Sequence, residues 1–159
     1  MKLYLLRHAT AVDIAVTDSA RALTPHGEEE ARKVGLALAK LGAKLTHVFH
    51  SPLVRARQTA EIAAKSIKFA GTIHSLEELT NGTPTGMLLH AVKRHPNLAE
   101  ALLIGHMPSI TGHIEELAPS ASVFALTPGG GACVDLPELR LGAGKLLWLK
   151  QHRDIAKHE

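Results

Sequence analysis

The sequence predicts an α/β fold, a three-layer α/β/α sandwich whose central sheet is mostly parallel and has antiparallel edge strands near the C-terminus. Two observations support this prediction. Up to about Leu117, short apolar runs alternate with patterns of helical periodicity, which is typical of parallel strands joined by crossover helices. From Ser122 onward, three strand-like runs follow one another with only Gly- and Pro-rich turns between them, which favours antiparallel pairing.

The early strands are short and largely apolar, as strands buried on both faces of a sheet should be. They are predicted at Leu3–Leu6, Leu45–Phe49, Thr72–His74 and Ala101–Ile104. A helix follows each, and each helix start is marked by a proline, as at Thr24-Pro25, where Thr24 is the N-cap. The other starts are Ser51-Pro52, Thr83-Pro84 and Pro108. The late strands are predicted at Val123–Leu126, Ala132–Leu136 and Leu146–Leu149.

Length and composition predict one globular domain over residues 1–150 with a polar C-terminal tail over 151–159. The chain has 159 residues, of which 45% are hydrophobic and 21% charged. The net charge of +3 and an aromatic content of 3% do not favour a nucleic-acid or membrane partner. The single cysteine, Cys133, excludes an intrachain disulfide, and the longest uncharged stretch, Leu117–Val134, is interrupted by Pro and Gly. We therefore expect a cytoplasmic protein.

Basic residues follow three of the buried strands. Arg7 and His8 end the first, Arg55 lies in the first turns of the helix after the second, and His106 follows the strand at Ala101–Ile104. The carboxyl ends of parallel strands form the ligand crevice of an open α/β sheet, so these side chains should converge there. Two arginines, two histidines and nearby helix N-termini suit a phosphoryl group. Arg57 lies two positions from Arg55 and should point elsewhere.

Taken singly, each of these features has an ordinary structural explanation. Arg7-His8 could be a surface dipeptide, Gly105-His106-Met107-Pro108 a turn with a hydrogen-bonded histidine, and Arg55 part of a solvated helix face. Their occurrence at three equivalent strand ends favours a functional site instead.

The same residues resemble the motifs of a known family. Leu5-Leu6-Arg7-His8-Ala9 resembles the Arg-His-Gly signature of the histidine phosphatase superfamily, which includes the phosphoglycerate mutases. The segment from Ser51 to Ala60 and Gly105-His106-Met107-Pro108 resemble its second and third motifs. The closest similarity is to the short SixA-type phosphohistidine phosphatases, and Ala9 departs from the glycine usual in the superfamily.

This resemblance implies a nucleophilic, transiently phosphorylated His8. It also implies that Arg7, Arg55 and His106 hold the phosphoryl oxygens and that Arg21 joins them. Clustered arginine charges should lower the pKa of His8 and keep its imidazole neutral. They should also stabilise the negative charge of the transition state.

A carboxylic acid protonates the leaving group in much of the superfamily, and Glu78 stands where such a residue often lies. Glu77 is its neighbour, and one or both of these carboxylates could instead be solvated or paired locally.

We expect no cofactor and no metal, because His47 and His50 should lie on opposite strand faces, and His106 with His113 lacks a completing ligand. Asp18 and Glu28–Glu30 are interpreted as surface charge.

The leading hypothesis is a metal-independent phosphatase that removes phosphate from phosphohistidine on a protein. One alternative is a broad-specificity phosphatase or mutase for small phosphate esters. Another is a non-catalytic module that binds a phosphorylated partner. The partner is therefore expected to be a phosphorylated protein or a small phosphorylated substrate.

Overall fold

In the computed structural model, which describes residues 1–157, six strands form one sheet in the order β3-β2-β4-β1-β5-β6. The strands β1 to β4 pair in parallel, whereas β5 pairs antiparallel with β1, and β6 antiparallel with β5. The fold class predicted from the sequence is thereby confirmed. The strands are β1 Lys2–Arg7, β2 His47–His50, β3 Ile73–Ser75, β4 Glu100–Gly105, β5 Gly131–Asp135 and β6 Lys145–Lys150.

Helices cover both faces of this sheet. Along β1, Tyr4 and Leu6 pack on one face, whereas Leu3 and Leu5 pack on the other, because successive side chains of a strand alternate. Helices α1, α2 and α5 cover the Tyr4 face, and α3 and α4 cover the Leu3 face. The helices are α1 Pro25–Lys40, α2 Val54–Ser66, α3 Thr85–Lys93, α4 Ser109–Leu117 and α5 His152–Ala156.

The predicted start of α1 is confirmed, but that of α2 is wrong. The Thr24 hydroxyl accepts the Gly27 N–H at 3.0 Å, and Pro25 is the first helical residue. In contrast, α2 begins at Val54 with Leu53 as its N-cap, and no side chain caps it. Ser51 lies three residues before the helix, and its hydroxyl bonds to His106 and to the Leu53 N–H rather than to a helical N–H.

The strand predicted at Val123–Leu126 does not form. The segment is irregular, and side chains bind its backbone: Gln151 Nε2 donates to the Ala125 carbonyl at 2.9 Å, and Arg7 donates to that of Leu126 at 2.6 Å. A sheet partner is not needed where side chains satisfy the backbone in this way.

The C-terminal segment is more ordered than the predicted polar tail. After β6 the chain forms α5, whose Ile155 is fully buried with the core on the α1 and α2 face. Residues 158 and 159 of the predicted tail lie outside the described residues. Within residues 1–157, we find no helix that has the length and apolar character needed to cross a bilayer.

Candidate active site

The candidate site lies where the three central strands end. Since β4 lies between β1 and β2, the residues that follow these strands meet at one edge of the sheet. The ring centroids of His8 and His106 are 5.1 Å apart. The backbone N–H of His8 donates to the Gly105 carbonyl at 3.0 Å. Both histidines are buried. The predicted convergence of Arg7-His8, Arg55 and His106 follows from this strand order.

The imidazole of His8 has a defined orientation. Its Nδ1 lies 2.7 Å from the carbonyl oxygen of Ala9. A carbonyl can only accept, so Nδ1 carries the hydrogen and Nε2 has the free lone pair. The Ala9 N–H in turn donates to the hydroxyl of Thr59 at 3.0 Å, which helps to hold Ala9 in place. His8 is therefore held in the tautomer that a nucleophilic Nε2 requires.

The alanine at position 9 fits without strain. Lys68 and Asn97 are the non-glycine residues with positive φ among residues 1–157, so Ala9 has an ordinary backbone conformation. Its methyl group is buried in a small apolar cluster with Leu23 and Ala31.

His106 is oriented by a residue that the sequence analysis missed. Its Nε2 lies 2.6 Å from the hydroxyl of Ser51, which also accepts the Leu53 N–H at 3.3 Å. When this hydroxyl donates to Nε2, the hydrogen of His106 is on Nδ1. Nδ1 is buried and has no hydrogen-bond partner in the described chain. His106 can thus present an N–H to an acceptor in the site.

The two site arginines are each held by a loop. Arg7 Nη1 donates to the Leu126 carbonyl at 2.6 Å. Arg55 donates twice to Asp18, from Nη1 to its carbonyl at 2.9 Å and from Nη2 to its carboxylate at 3.2 Å. Arg21 contacts the other oxygen of the same carboxylate at 3.1 Å, so it joins the site through Asp18. These contacts fix where the guanidinium groups lie.

The expected difference between Arg55 and Arg57 is present in the structure. Arg55 is 8% exposed, whereas the Arg57 side chain is about half exposed and lies 3.9 Å from Glu61. Arg57 thus belongs to the outer surface of α2.

Three unsatisfied donors remain around the histidines. Among residues 1–157, four buried side-chain nitrogens have no hydrogen-bond partner, and three of them are Arg7 Nε, Arg55 Nε and His106 Nδ1. Burying a donor without an acceptor costs free energy. A cluster of such donors therefore favours binding of a ligand rich in acceptor oxygens. Together with two fixed positive charges, these donors suit a tetrahedral oxyanion such as phosphate.

The electrostatics keep both histidines neutral. Burial is the largest of the effects that together lower the pKa of His8 to about 4. The hydrogen bond to Ala9 opposes it, and His106, Arg55 and Arg7 add smaller decreases. Burial, followed by the Arg55 charge, likewise lowers the pKa of His106 to about 4. The expected direction is therefore confirmed, but desolvation is the largest cause and the arginine charges are secondary.

The chain matches the model of the histidine phosphatase superfamily (branch 1) over residues 3–111. That segment contains Arg7, His8, Arg21, Arg55 and His106. The chain belongs to the histidine phosphatase superfamily.

Individual relatives agree with this membership. The chain is 29% identical over 150 residues to the phosphohistidine phosphatase SixA of Escherichia coli, covering 93% of this chain and 92% of that protein. The structure of the protein histidine phosphatase SixA complexed with tungstate superposes with a TM-score of 0.88 at 28% identity, over 98% and 99% of the two chains. A phosphoserine phosphatase of Entamoeba histolytica shares the fold, with a TM-score of 0.70, 18% identity and 96% and 98% coverage. The chain is thus a phosphatase by family.

Glu77 and Glu78 follow β3, the edge strand, whereas the candidate site is positioned by the three central strands. They form a 3-10 turn after β3, and the turn packs beside the residue before His106, since the Leu79 carbonyl would lie 3.4 Å from a Cβ on Gly105. Glu78 is half-buried, yet the charges that act on His8 and His106 come from other residues. The structure does not bring Glu78 into contact with the histidines.

Two carboxylates interpreted as surface charge are not simply solvated. Asp18 bridges Arg21 and Arg55, and Glu30 is 7% exposed and accepts the Thr10 N–H at 2.8 Å. Neither role could be read from the sequence, because both contacts join separate segments.

Within the described part of the chain, no three His, Cys, Asp or Glu side chains are grouped so as to hold a metal ion.

The buried histidines predict a loss of stability in mild acid. An unfolded histidine titrates near ~6.5, whereas His8 and His106 titrate near 4 when folded. Between these values the unfolded chain binds more protons, so the free energy of unfolding should decrease as the pH falls from about 6.5 to 4. Each histidine should account for a decrease on the order of 3 kcal/mol in the free energy of unfolding by pH 4. Urea titrations at pH 7, 6, 5 and 4 measure this.

A comparison of two variants isolates the effect of the site. His8→Ala should show a shallower decrease than the wild-type protein, whereas His90→Ala, which removes an exposed histidine, should keep the wild-type slope. An unfolding free energy that stays constant from pH 7 to 4 would contradict the prediction.

Proposed function

We propose that this phosphatase removes the phosphoryl group from phosphohistidine on a protein, through a phosphorylated His8 and without a metal ion. The observation that carries the proposal is the free Nε2 lone pair of His8 beside three unpaired donors. A nucleophile with a lowered pKa next to oxyanion-binding groups is the arrangement that phosphoryl transfer through the enzyme requires.

In the first step, His8 Nε2 forms a bond to phosphorus while the bond between phosphorus and the substrate nitrogen breaks. The substrate ring carries a proton on its other nitrogen, so the electron pair of the broken bond stays on the leaving nitrogen and the ring departs as a neutral imidazole. Arg7, Arg55 and His106 donate to the phosphoryl oxygens, whose charge they stabilise during transfer. The hydrogen stays on His8 Nδ1 and remains hydrogen-bonded to the Ala9 carbonyl, which steadies the ring as it becomes a phosphoimidazolium.

In the second step, water attacks the phosphorus and the bond to His8 Nε2 breaks. The electron pair returns to Nε2, the oxygen of water remains in the phosphate, and its released proton passes to phosphate or solvent. His8 is then ready for another turnover. Both steps use the same oxyanion-binding groups, so none needs to be exchanged between them.

The carboxylates of the site favour phosphohistidine as the substrate. An ester needs an acid to protonate its alkoxide, whereas an imidazole leaves with little or no help. Asp18 is the carboxylate that acts on His106, but hydrogen bonds from Arg21 and Arg55 hold the pKa of Asp18 below its usual value. An ionised carboxylate between two arginines is a poor proton donor. The name of the SixA relative supports the same substrate.

The short loops of the chain support a protein as the carrier of that phosphohistidine. The longer stretches near the crevice that lie outside the main helices and strands are residues 9–23, 76–83 and 118–130. A crevice without a large lid can accept a histidine that projects from a folded partner. We further propose a cytoplasmic protein of one catalytic domain, without nucleic-acid or membrane partners, in keeping with the composition and the free, buried Cys133.

The competing function is hydrolysis of small phosphate esters. The half-buried Glu78 favours it, because its turn packs beside Gly105, the residue before His106.

Replacing Glu78 by Gln should separate the two functions. We expect kcat/KM for phosphohistidine protein to change less than about threefold, and that for a phosphate monoester to fall more than about tenfold, since only the ester needs an acid. Both substrates are assayed in wild type and variant, with EDTA present throughout, and EDTA itself should not reduce the rates.

Glu77→Gln is the matched control, because Glu77 is exposed on the same turn. A wild-type enzyme that strongly prefers the monoester, and loses that activity in Glu78→Gln, would favour the small-ester phosphatase. Activity that disappears in EDTA and returns with Zn²⁺ or Mg²⁺ would contradict metal independence.

A further inference from the structure

The most exposed large apolar side chains of the described chain lie in the loop that precedes Asp18. Ile14 is 89% exposed and Val16 is 100% exposed, whereas other exposed large apolar side chains, such as Met87 at 57%, are covered to a greater extent. An apolar side chain held fully in water contributes nothing to folding. A cluster of such side chains next to an active site is typical of a surface that another molecule covers.

This loop is held against the phosphate-binding groups. Its base is closed by the bridge between Ala11 and Leu23. Arg21 Nε donates to the Val12 carbonyl at 2.6 Å, and Arg55 donates to both the carbonyl and the carboxylate of Asp18. Val16 therefore lies two residues from a direct contact with Arg55.

A second loop repeats this arrangement on the other flank of β1 and β4. Arg7 donates to the Leu126 carbonyl in the loop that leads to β5. Two residues earlier, Phe124 is 47% exposed, and the intervening Ala125 carbonyl is held by Gln151. Each site arginine is thus bound by a loop that presents an exposed apolar side chain two residues from the point of contact.

We propose that Ile14, Val16 and Phe124, here called the apolar rim, dock the surface of the protein that carries the phosphohistidine. The proposal rests on the proposed function and adds the chemistry of the partner, namely an apolar surface around its phosphorylated histidine. The positive pocket matches the phosphoryl group, and the uncharged rim matches the surroundings of that group. A free phosphoamino acid or a small ester does not extend beyond the pocket. It therefore leaves the side chains of the apolar rim in contact with water.

The two substrates to compare contain the same phosphorus–nitrogen bond. One is a folded protein phosphorylated on a single surface histidine, and the other is free phosphohistidine. In the double variant Ile14→Ser/Val16→Ser, we expect KM for the protein to rise about tenfold or more while kcat stays within twofold, since lost apolar burial weakens docking. For free phosphohistidine, kcat/KM should stay within twofold of wild type.

Phe124→Ser tests the second loop independently and should give the same split between the two substrates. The matched control is Leu41→Ser/Leu147→Ser, which removes two exposed apolar side chains from the end of α1 and from β6. This control should behave as wild type on both substrates.

Three results would overturn the proposal. An unchanged KM for the protein in both rim variants would show that the rim does not dock it. An equal loss on both substrates would mean that the loops act only by holding Arg55 and Arg7. A wild-type enzyme that does not cleave the phosphorylated protein at all would reject the proposed function, and the rim with it, before any variant is made.

Discussion

Replacing His8 by Ala should reduce turnover of every phosphorylated substrate by more than about three orders of magnitude. In residues 1–157, the other histidine ring in the site, His106, has its Nε2 directed to Ser51, and its Nδ1 serves best as a donor. The His106 ring therefore has no lone pair ready to attack phosphorus. The variant should still bind phosphate, because Arg7, Arg55 and His106 remain.

Two measurements check this prediction. Single-turnover assays with labelled substrate should trap a protein-bound phosphate in the wild type that resists alkali and is lost in acid, and His8→Ala should trap none. His90→Ala serves as the histidine control and should retain wild-type rates, since His90 is exposed on α3. Rates within tenfold of wild type in a folded His8→Ala protein would reject the covalent mechanism and favour direct attack by water.

The order of layers and the position of the site could be predicted because they depend on local signals. Apolar runs such as Leu3–Leu6 specify buried strands, and strands of one direction must end at the same edge of a sheet. The failures have the opposite origin. The segment Val123–Leu126 has a strand-like composition, yet Arg7 and Gln151 bind its carbonyls. The helix α2 begins three residues after Ser51, whose hydroxyl bonds to His106 at the end of the neighbouring strand.

Details of the site depended on contacts between distant segments. The sequence could place two arginines and two histidines at strand ends, but it could not indicate that Asp18 would bind Arg55, which is 37 positions away. Nor could it rank the causes of the lowered pKa of His8. Arginine charges are visible in a sequence, whereas burial, the larger cause, depends on the complete fold.

Removing Arg55 should cause the second-largest loss of activity. Arg55→Ala takes away a buried guanidinium whose Nε is unpaired, and with it the contacts that hold Asp18 and its loop. We expect kcat/KM to fall about 100- to 1,000-fold, which corresponds to the ~2.7–4 kcal/mol typical of one lost oxyanion donor. Arg55→Lys should recover only part of this loss, because an ammonium keeps the charge but not the planar fork.

The same helix supplies the control for this prediction. Arg57→Ala removes an identical side chain two residues away, on the exposed face of α2, and should leave kcat/KM within twofold of wild type. Thermal unfolding of all three variants excludes loss of structure as the cause. If Arg55→Ala and Arg57→Ala lowered kcat/KM equally, the effect would come from net charge alone. A much larger loss for Arg55→Ala, only partly recovered by Arg55→Lys, requires the guanidinium to be aimed at the phosphoryl group, as its burial and its unpaired Nε indicate.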